Sequence, residues 1–266
     1  MSTSKMPVLF IGHGSPMNAI EDNRFARGWH EAALSIPRPE AILCISAHWE
    51  TWGTLVTANQ QPRTIHDFGG FPQALYDMSY PAPGSPDLAQ RVQSLVKSAE
   101  AGMDLDWGFD HGAWSVLARM FPKADIPVIQ LSLDYTQPAE FHYRLGRELA
   151  PLREEGVLIL GSGNIVHNLR RMALKNNDYA TFNEPYALDW AAEADLILKG
   201  LIHERKHTDL VNYRELGQAV QLAVPTPEHY LPMLYVLALQ GEDEEVAMFN
   251  DEPLAGSLTM TSLVIQ

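Results

Sequence analysis

Short apolar runs that stop at glycine or histidine constrain this chain more than any other feature. Residues 7–11, 41–47 and 157–160 read Pro-Val-Leu-Phe-Ile, Ala-Ile-Leu-Cys-Ile-Ser-Ala and Val-Leu-Ile-Leu. They are apolar without alternation and too short for helices, which predicts strands buried on both faces. Further strands are expected at 54–58, 127–133 and 257–265. Segments of helical period fall between them at 86–100, 113–121, 139–152, 184–203 and 227–239. Strands alternating with helices predict an α/β fold, with a mainly parallel or mixed central sheet covered by helices. No internal repeat or linker divides residues 1–266, so a single domain is expected. Ser85-Pro86 marks one helix start, as N-cap and first helical residue.

Composition narrows the function. The net charge is −14, from 19 Lys+Arg against 33 Asp+Glu, and no basic stripe occurs, so nucleic acid is a poor partner. The one cysteine, Cys44, excludes an intrachain disulfide and any multi-cysteine metal site. No run approaches the ~20 apolar residues of a membrane span, and none has the form of a signal peptide. A cytoplasmic protein without membrane contact is the expectation.

Ten histidines remain as a reserve of neutral ligands and proton carriers. Three of them follow predicted strands: His13 within Gly12-His13-Gly14, His48 after Ser46-Ala47, and His167 beyond Gly161-Ser162-Gly163-Asn164. Ligands in open α/β sheets bind outside the carboxyl ends of the strands, so these three are expected to converge on one metal site. A fourth, His229, lies in Pro225-Thr226-Pro227-Glu228-His229-Tyr230, which predicts Thr226 as N-cap and His229 in a first helical turn. The positive end of a helix would keep that imidazole neutral and able to ligate. His66-Asp67-Phe68-Gly69-Gly70-Phe71-Pro72 combines polar heads, aromatic rings and a Gly-Gly hinge, a composition suited to a lid over a planar substrate. Asp110-His111-Gly112-Ala113-Trp114 opens a helix, with Asp110 a good N-cap. His30, His142, His203 and His207 sit in polar helical contexts and read as solvated. The 161–164 loop lacks the lysine of a phosphate loop.

Six motifs in order (Gly12-His13-Gly14-Ser15-Pro16, Ser46-Ala47-His48-Trp49, His66–Pro72, Asp110-His111-Gly112-x-Trp114, Gly161-Ser162-Gly163-Asn164-x-x-His167-Asn168-Leu169 and Pro225–Tyr230) span most of the chain. In these the sequence resembles the class III extradiol ring-cleaving dioxygenases, specifically their DOPA 4,5-dioxygenase branch. The resemblance implies one α/β domain with a single non-haem divalent metal, Fe²⁺ or Zn²⁺, at one end of the sheet. It implies His13, His48 and His229 as metal ligands, with Glu228 the rival to His229. It implies His167 as catalytic acid/base, close enough to be a possible fourth ligand.

The implied reaction is cleavage of a catechol, L-DOPA or a relative, by O₂ to a muconate semialdehyde. Ring cleavage beside a diol needs a redox metal with few protein ligands, which leaves room for both catechol oxygens and O₂. It also needs a base near neutral pH, and imidazole suits that role. His167 is assigned to it, with His111 as a secondary donor. His66, Phe68, Phe71 and Trp49 are expected around the substrate ring. Two rivals use the same residues: a zinc hydrolase with Glu228 or Asp67 as general base, and a non-catalytic metal- or ligand-binding protein on the same scaffold.

Overall fold

Alternate residues of a strand face opposite sides of its sheet, and here both sides are covered. The computed structural model describes residues 5–266. Its central sheet has six strands: β1 (Val8–Gly12), β2 (Ala41–Ser46), β3 (Val128–Gln130), β4 (Val157–Gly163), β5 (Val246–Phe249) and β6 (Ser262–Ile265). They lie in the order β3-β2-β4-β1-β6-β5. The first three pairings along that order, β3·β2, β2·β4 and β4·β1, are parallel, and β1·β6 and β6·β5 are antiparallel, so the sheet is mixed.

Val8 and Phe10 of β1, with Leu43 and Ile45 of β2, point into one core, where Leu145, Leu198 and Leu234 meet them. Those three come from helices α4 (Ala139–Glu148), α5 (Asp189–His203) and α6 (Leu231–Leu237). Leu9, Ile11, Ile42 and Cys44 point the other way, onto Phe25, Trp29, Trp114 and Leu117. Those four belong to α1 (Arg24–Ser35) and α3 (His111–Met120). The remaining helix of these six, α2 (Pro86–Leu95), starts as expected, with Ser85 Oγ accepting from the Leu88 amide. A buried leucine-sized side chain contributes roughly 1.5–3 kcal/mol, so two such layers anchor the strands firmly.

Several boundaries differ from the sequence reading, each for a local reason. The 54–58 run forms Leu55–Thr57, which pairs with Gly102–Asp104 outside the central sheet. The 127–133 run splits, because only Val128–Gln130 pairs with β2 while Leu133–Asp134 pairs with Glu50–Thr51. The 257–265 run also divides, into Leu258–Thr259 and β6. The helix expected over 139–152 stops at Glu148, since Pro151 has no N–H to give the carbonyl one turn back. The helix expected from 184 begins at Asp189: the amides of Tyr186 and Leu188 bond to the carbonyls of Pro253 and Gly256 instead. The last predicted helix begins at Leu231, so His229 lies in the turn ahead of it. Among the described residues no helix is long and apolar enough to cross a membrane.

Candidate metal centre and active site

Strand order builds the site. β4 lies between β2 and β1, so the chain leaving β2 toward His48 and the chain leaving β1 at His13 flank the end of β4. Two backbone bonds hold the exits together: His13 N to Gly163 O at 3.0 Å and Ala47 N to Ser162 O at 2.9 Å. The turn carrying His229 is tied over the same edge, where its carbonyl accepts from Asn164 N at 2.9 Å. A side chain at Gly163 would put its Cβ 2.1 Å from that carbonyl oxygen, so the close approach requires glycine.

Hydrogen bonds then fix which nitrogen His13, His229 and His111 offer. Ser162 Oγ donates to the Gly112 carbonyl at 2.6 Å, which leaves its lone pairs to accept from His13 Nδ1 at 3.0 Å. His13 Nδ1 therefore carries the proton, and Nε2 keeps a free lone pair. His229 Nδ1 faces Glu228 Oε1 at 3.2 Å, and that oxygen also accepts from Thr226 Oγ1 at 2.9 Å. Glu228 thus supports the His229 ring from behind, and Thr226 serves the carboxylate rather than acting as the expected backbone cap. His111 Nδ1 lies 2.9 Å from Asp67 Oδ2, and its amide donates to Asp67 Oδ1 at 2.8 Å. Asp110 caps α3 as expected, accepting from the Ala113 amide.

The donor set fits a divalent ion. His13 Nε2 and His48 Nε2 point at each other across 3.2 Å. Two nitrogens about 2.0–2.1 Å from a tetrahedral ion stand about 3.3 Å apart, close to the spacing found here. His13, His48 and His229 bring one ligand atom each within 4.8 Å of one another, as do His48, Asp67 and His111, and His167, Glu228 and His229.

Burial keeps these rings neutral. Desolvation, reinforced by the neighbouring imidazoles, pushes His13 and His229 well below the usual histidine range and His48 to about 3. Desolvation takes His167 to about 4, against the opposing charge of Glu228. Burial alone would raise Asp67, but the hydrogen bonds and charge of His111 outweigh it and hold this carboxyl below its ordinary value. The His167 ring stacks on His229, with centroids 3.5 Å apart and planes at 9°.

All five histidines (13, 48, 111, 167 and 229) line one cavity of about 290 Å³. Its walls are apolar: Phe68 and Phe71 come from the 66–72 loop, and Leu169, Met172, Tyr179 and Phe182 from a segment of short 3₁₀ turns. Gly70, between the two phenylalanines, has φ +80, a conformation suited to glycine. Two expected substrate contacts lie elsewhere. Trp49 is buried against Trp107, with planes at 6° and centroids 5.6 Å apart, and does not line the cavity. His66 lies behind the wall, its Nε2 3.0 Å from the Met78 carbonyl and its ring edge-on to Phe68.

Two of the histidines read as solvated are not. His142 is fully buried between Tyr235 Oη and the Asp134 carbonyl, and His207 is half-buried between Tyr143 Oη and Gln240 Oε1. His30 and His203 are exposed, as expected. Sequence reasoning missed the support of Ser162 and the wall formed by Tyr179 and Phe182. The Ser between two glycines at a strand end was the available signal for the first; nothing local marked the second.

Comparison with known proteins agrees with this geometry. Residues 6–262 match the family described as the catalytic LigB subunit of aromatic ring-opening dioxygenase. The chain is 48% identical over 266 residues to an Escherichia coli K12 protein named 4,5-DOPA dioxygenase extradiol, covering all of this chain and 96% of that one. A Beta vulgaris protein of the same name is 39% identical over 249 residues, with 91% and 90% of the two chains covered. The crystal structure of an uncharacterized Escherichia coli K12 protein superposes with a TM-score of 0.83 at 42% identity, covering 98% of this chain and 100% of that one. This chain belongs to the LigB family of class III extradiol dioxygenases and is an extradiol dioxygenase.

Proposed function

We propose that the enzyme cleaves a catechol carrying a side chain, L-DOPA or a close relative, with O₂ to give a muconate semialdehyde. The observation that carries this reading is the convergence of five imidazoles and a pair of phenylalanines on one cavity of about 290 Å³, close to the size of a single substituted ring. The names of the Escherichia coli and Beta vulgaris relatives support L-DOPA as the first substrate to try.

In this reading His13, His48 and His229 hold one divalent metal through Nε2, with Ser162 and Glu228 supporting two of the rings from behind. An Fe²⁺ ion held there would supply the redox chemistry with O₂ and would lower the pKa of a catechol hydroxyl. His167 is neutral at pH 7 and can accept the second catechol proton, then return it to the reacting oxygen. His111 gives Nδ1–H to Asp67 and keeps Nε2 for the substrate. Phe68 and Phe71 cover the ring and exclude water.

The test is anaerobic loading with Fe²⁺, then addition of O₂ and a panel of catechols. The expected result is one O₂ consumed per catechol and a yellow semialdehyde chromophore, with no turnover by Zn²⁺-loaded protein. Absence of O₂ uptake with every catechol, despite stoichiometric iron, would overturn the reading.

A further inference from the structure

A second cavity, of about 520 Å³, adjoins the histidine-lined one: Ser15, Phe71, Tyr179 and Phe182 line both. The shared residues place this second space beside a ring held among the histidines, on the side of Phe71 and Tyr179. The lining chemistry of the two spaces differs in one respect. Among the described residues lining them there is no lysine or arginine, and Glu21, in the outer cavity, is the single carboxylate.

Glu21 is weakly engaged by its neighbours. Its Oε2 accepts from the side-chain amides of Asn23 and Asn183, each at a long 3.4 Å. Two cations approach this region without touching the carboxylate. Arg24 is held by Glu252 at 2.6 Å and also donates to the Asn183 carbonyl. Arg119 donates to the backbone carbonyls of Asn18 and Glu21. A half-buried carboxylate with long amide contacts and no cation partner among the described residues, opening on a cavity, favours an ammonium group there. It repels a second carboxylate, and the overall charge of −14 adds to that repulsion.

We propose that Glu21 determines specificity by receiving the protonated amine of the substrate's side chain, so that the enzyme selects catechols with cationic tails over those with anionic tails. The proposal rests on the ring-cleavage reading of the neighbouring cavity for its substrate class, but its test does not depend on turnover. Three catechols of nearly equal size separate the charges: 4-(2-aminoethyl)catechol, 4-(2-hydroxyethyl)catechol and 4-(carboxymethyl)catechol. Binding to Fe²⁺-loaded protein is measured by anaerobic calorimetry, and kcat/KM is measured alongside.

Wild-type protein is expected to bind the amine about tenfold more tightly than the alcohol, and the carboxylate least well. Glu21→Gln brings the amine-to-alcohol ratio close to one, and Glu21→Lys reverses the order in favour of the carboxylate. A wild-type ratio near one overturns the proposal whether or not the variants fold, as does a tenfold ratio that survives both substitutions. Charge-dependent affinity without turnover leaves Glu21 in its role and removes the ring-cleavage reading. Turnover without charge dependence does the reverse, and failure to bind any of the three removes both.

Discussion

Ser162 Oγ donates to the Gly112 carbonyl at 2.6 Å and stands 3.0 Å from His13 Nδ1. One hydroxyl thereby sets the tautomer of His13 and the direction of its free lone pair. Ser162→Ala removes that acceptor and leaves a buried N–H without a partner. Metal affinity should fall about 10- to 100-fold, as measured by titration against a competing chelator. Unchanged affinity would mean that the strand end alone orients the ring.

Gly163 makes the same point in terms of space. A Cβ there would meet the His229 carbonyl oxygen at 2.1 Å, so Gly163→Ala must push the His229 turn away from β4. Overpacking of this kind costs about 1–3 kcal/mol, and the displaced ring should weaken metal retention as well. Thermal unfolding and metal content, measured on the same sample, check both expectations. A variant that loses stability but keeps its metal would separate the turn from the ligand set.

His167 and His229 stack within 3.5 Å, yet we assign them different work. If His167 moves protons and does not anchor the ion, His167→Gln should keep near-stoichiometric metal and catechol binding. Its single-turnover rate should fall by about 10²- to 10⁴-fold. Loss of iron along with activity would move His167 into the coordination sphere.

His142 predicts a pH dependence away from the site. Its burial outweighs the favourable contact with Asp134 and takes it to about 4, against about 6.5 in an unfolded chain. Below 6.5 the unfolded state takes up a proton that the folded state refuses. The stability owed to the neutral ring is therefore complete above about pH 6.5 and declines as pH falls toward 4, by on the order of 3 kcal/mol. His142→Asn cannot titrate, so its unfolding free energy should fall less steeply than wild type across that window. Parallel curves from chemical denaturation between pH 7 and 4 would contradict this.

His142 also marks the limit of what local sequence reveals. Its helix carries Glu140, Arg144 and Arg147, which suggested solvation, but its partner Tyr235 lies 93 residues away on another helix. Trp49 misled in the opposite sense: it follows His48 directly, yet the side chain turns into the core to stack on Trp107. Position beside a site residue carries no information about which way a side chain points once the strand has ended.

The sequence by itself determined the layered fold and the identity of the central histidines. Unbroken apolar runs can be buried only in a sheet covered on both faces, and chain exits at the carboxyl ends of such strands gather on one edge. Hence His13, His48 and His167 were legible from their strand ends and His229 from its helix-start pattern, and the ordered motifs added His111. Only the tertiary structure decided the order β2-β4-β1 that brings His13 and His48 to 3.2 Å, and the hydrogen bonds from Ser162, Asp67 and Glu228 that select a nitrogen on each ring. It also decided that the segment around Tyr179 and Phe182, with no periodic signal of its own, closes the cavity opposite Phe68 and Phe71. The physical reason is separation along the chain: these contacts join residues that no local rule relates, and they form only where packing brings distant segments together.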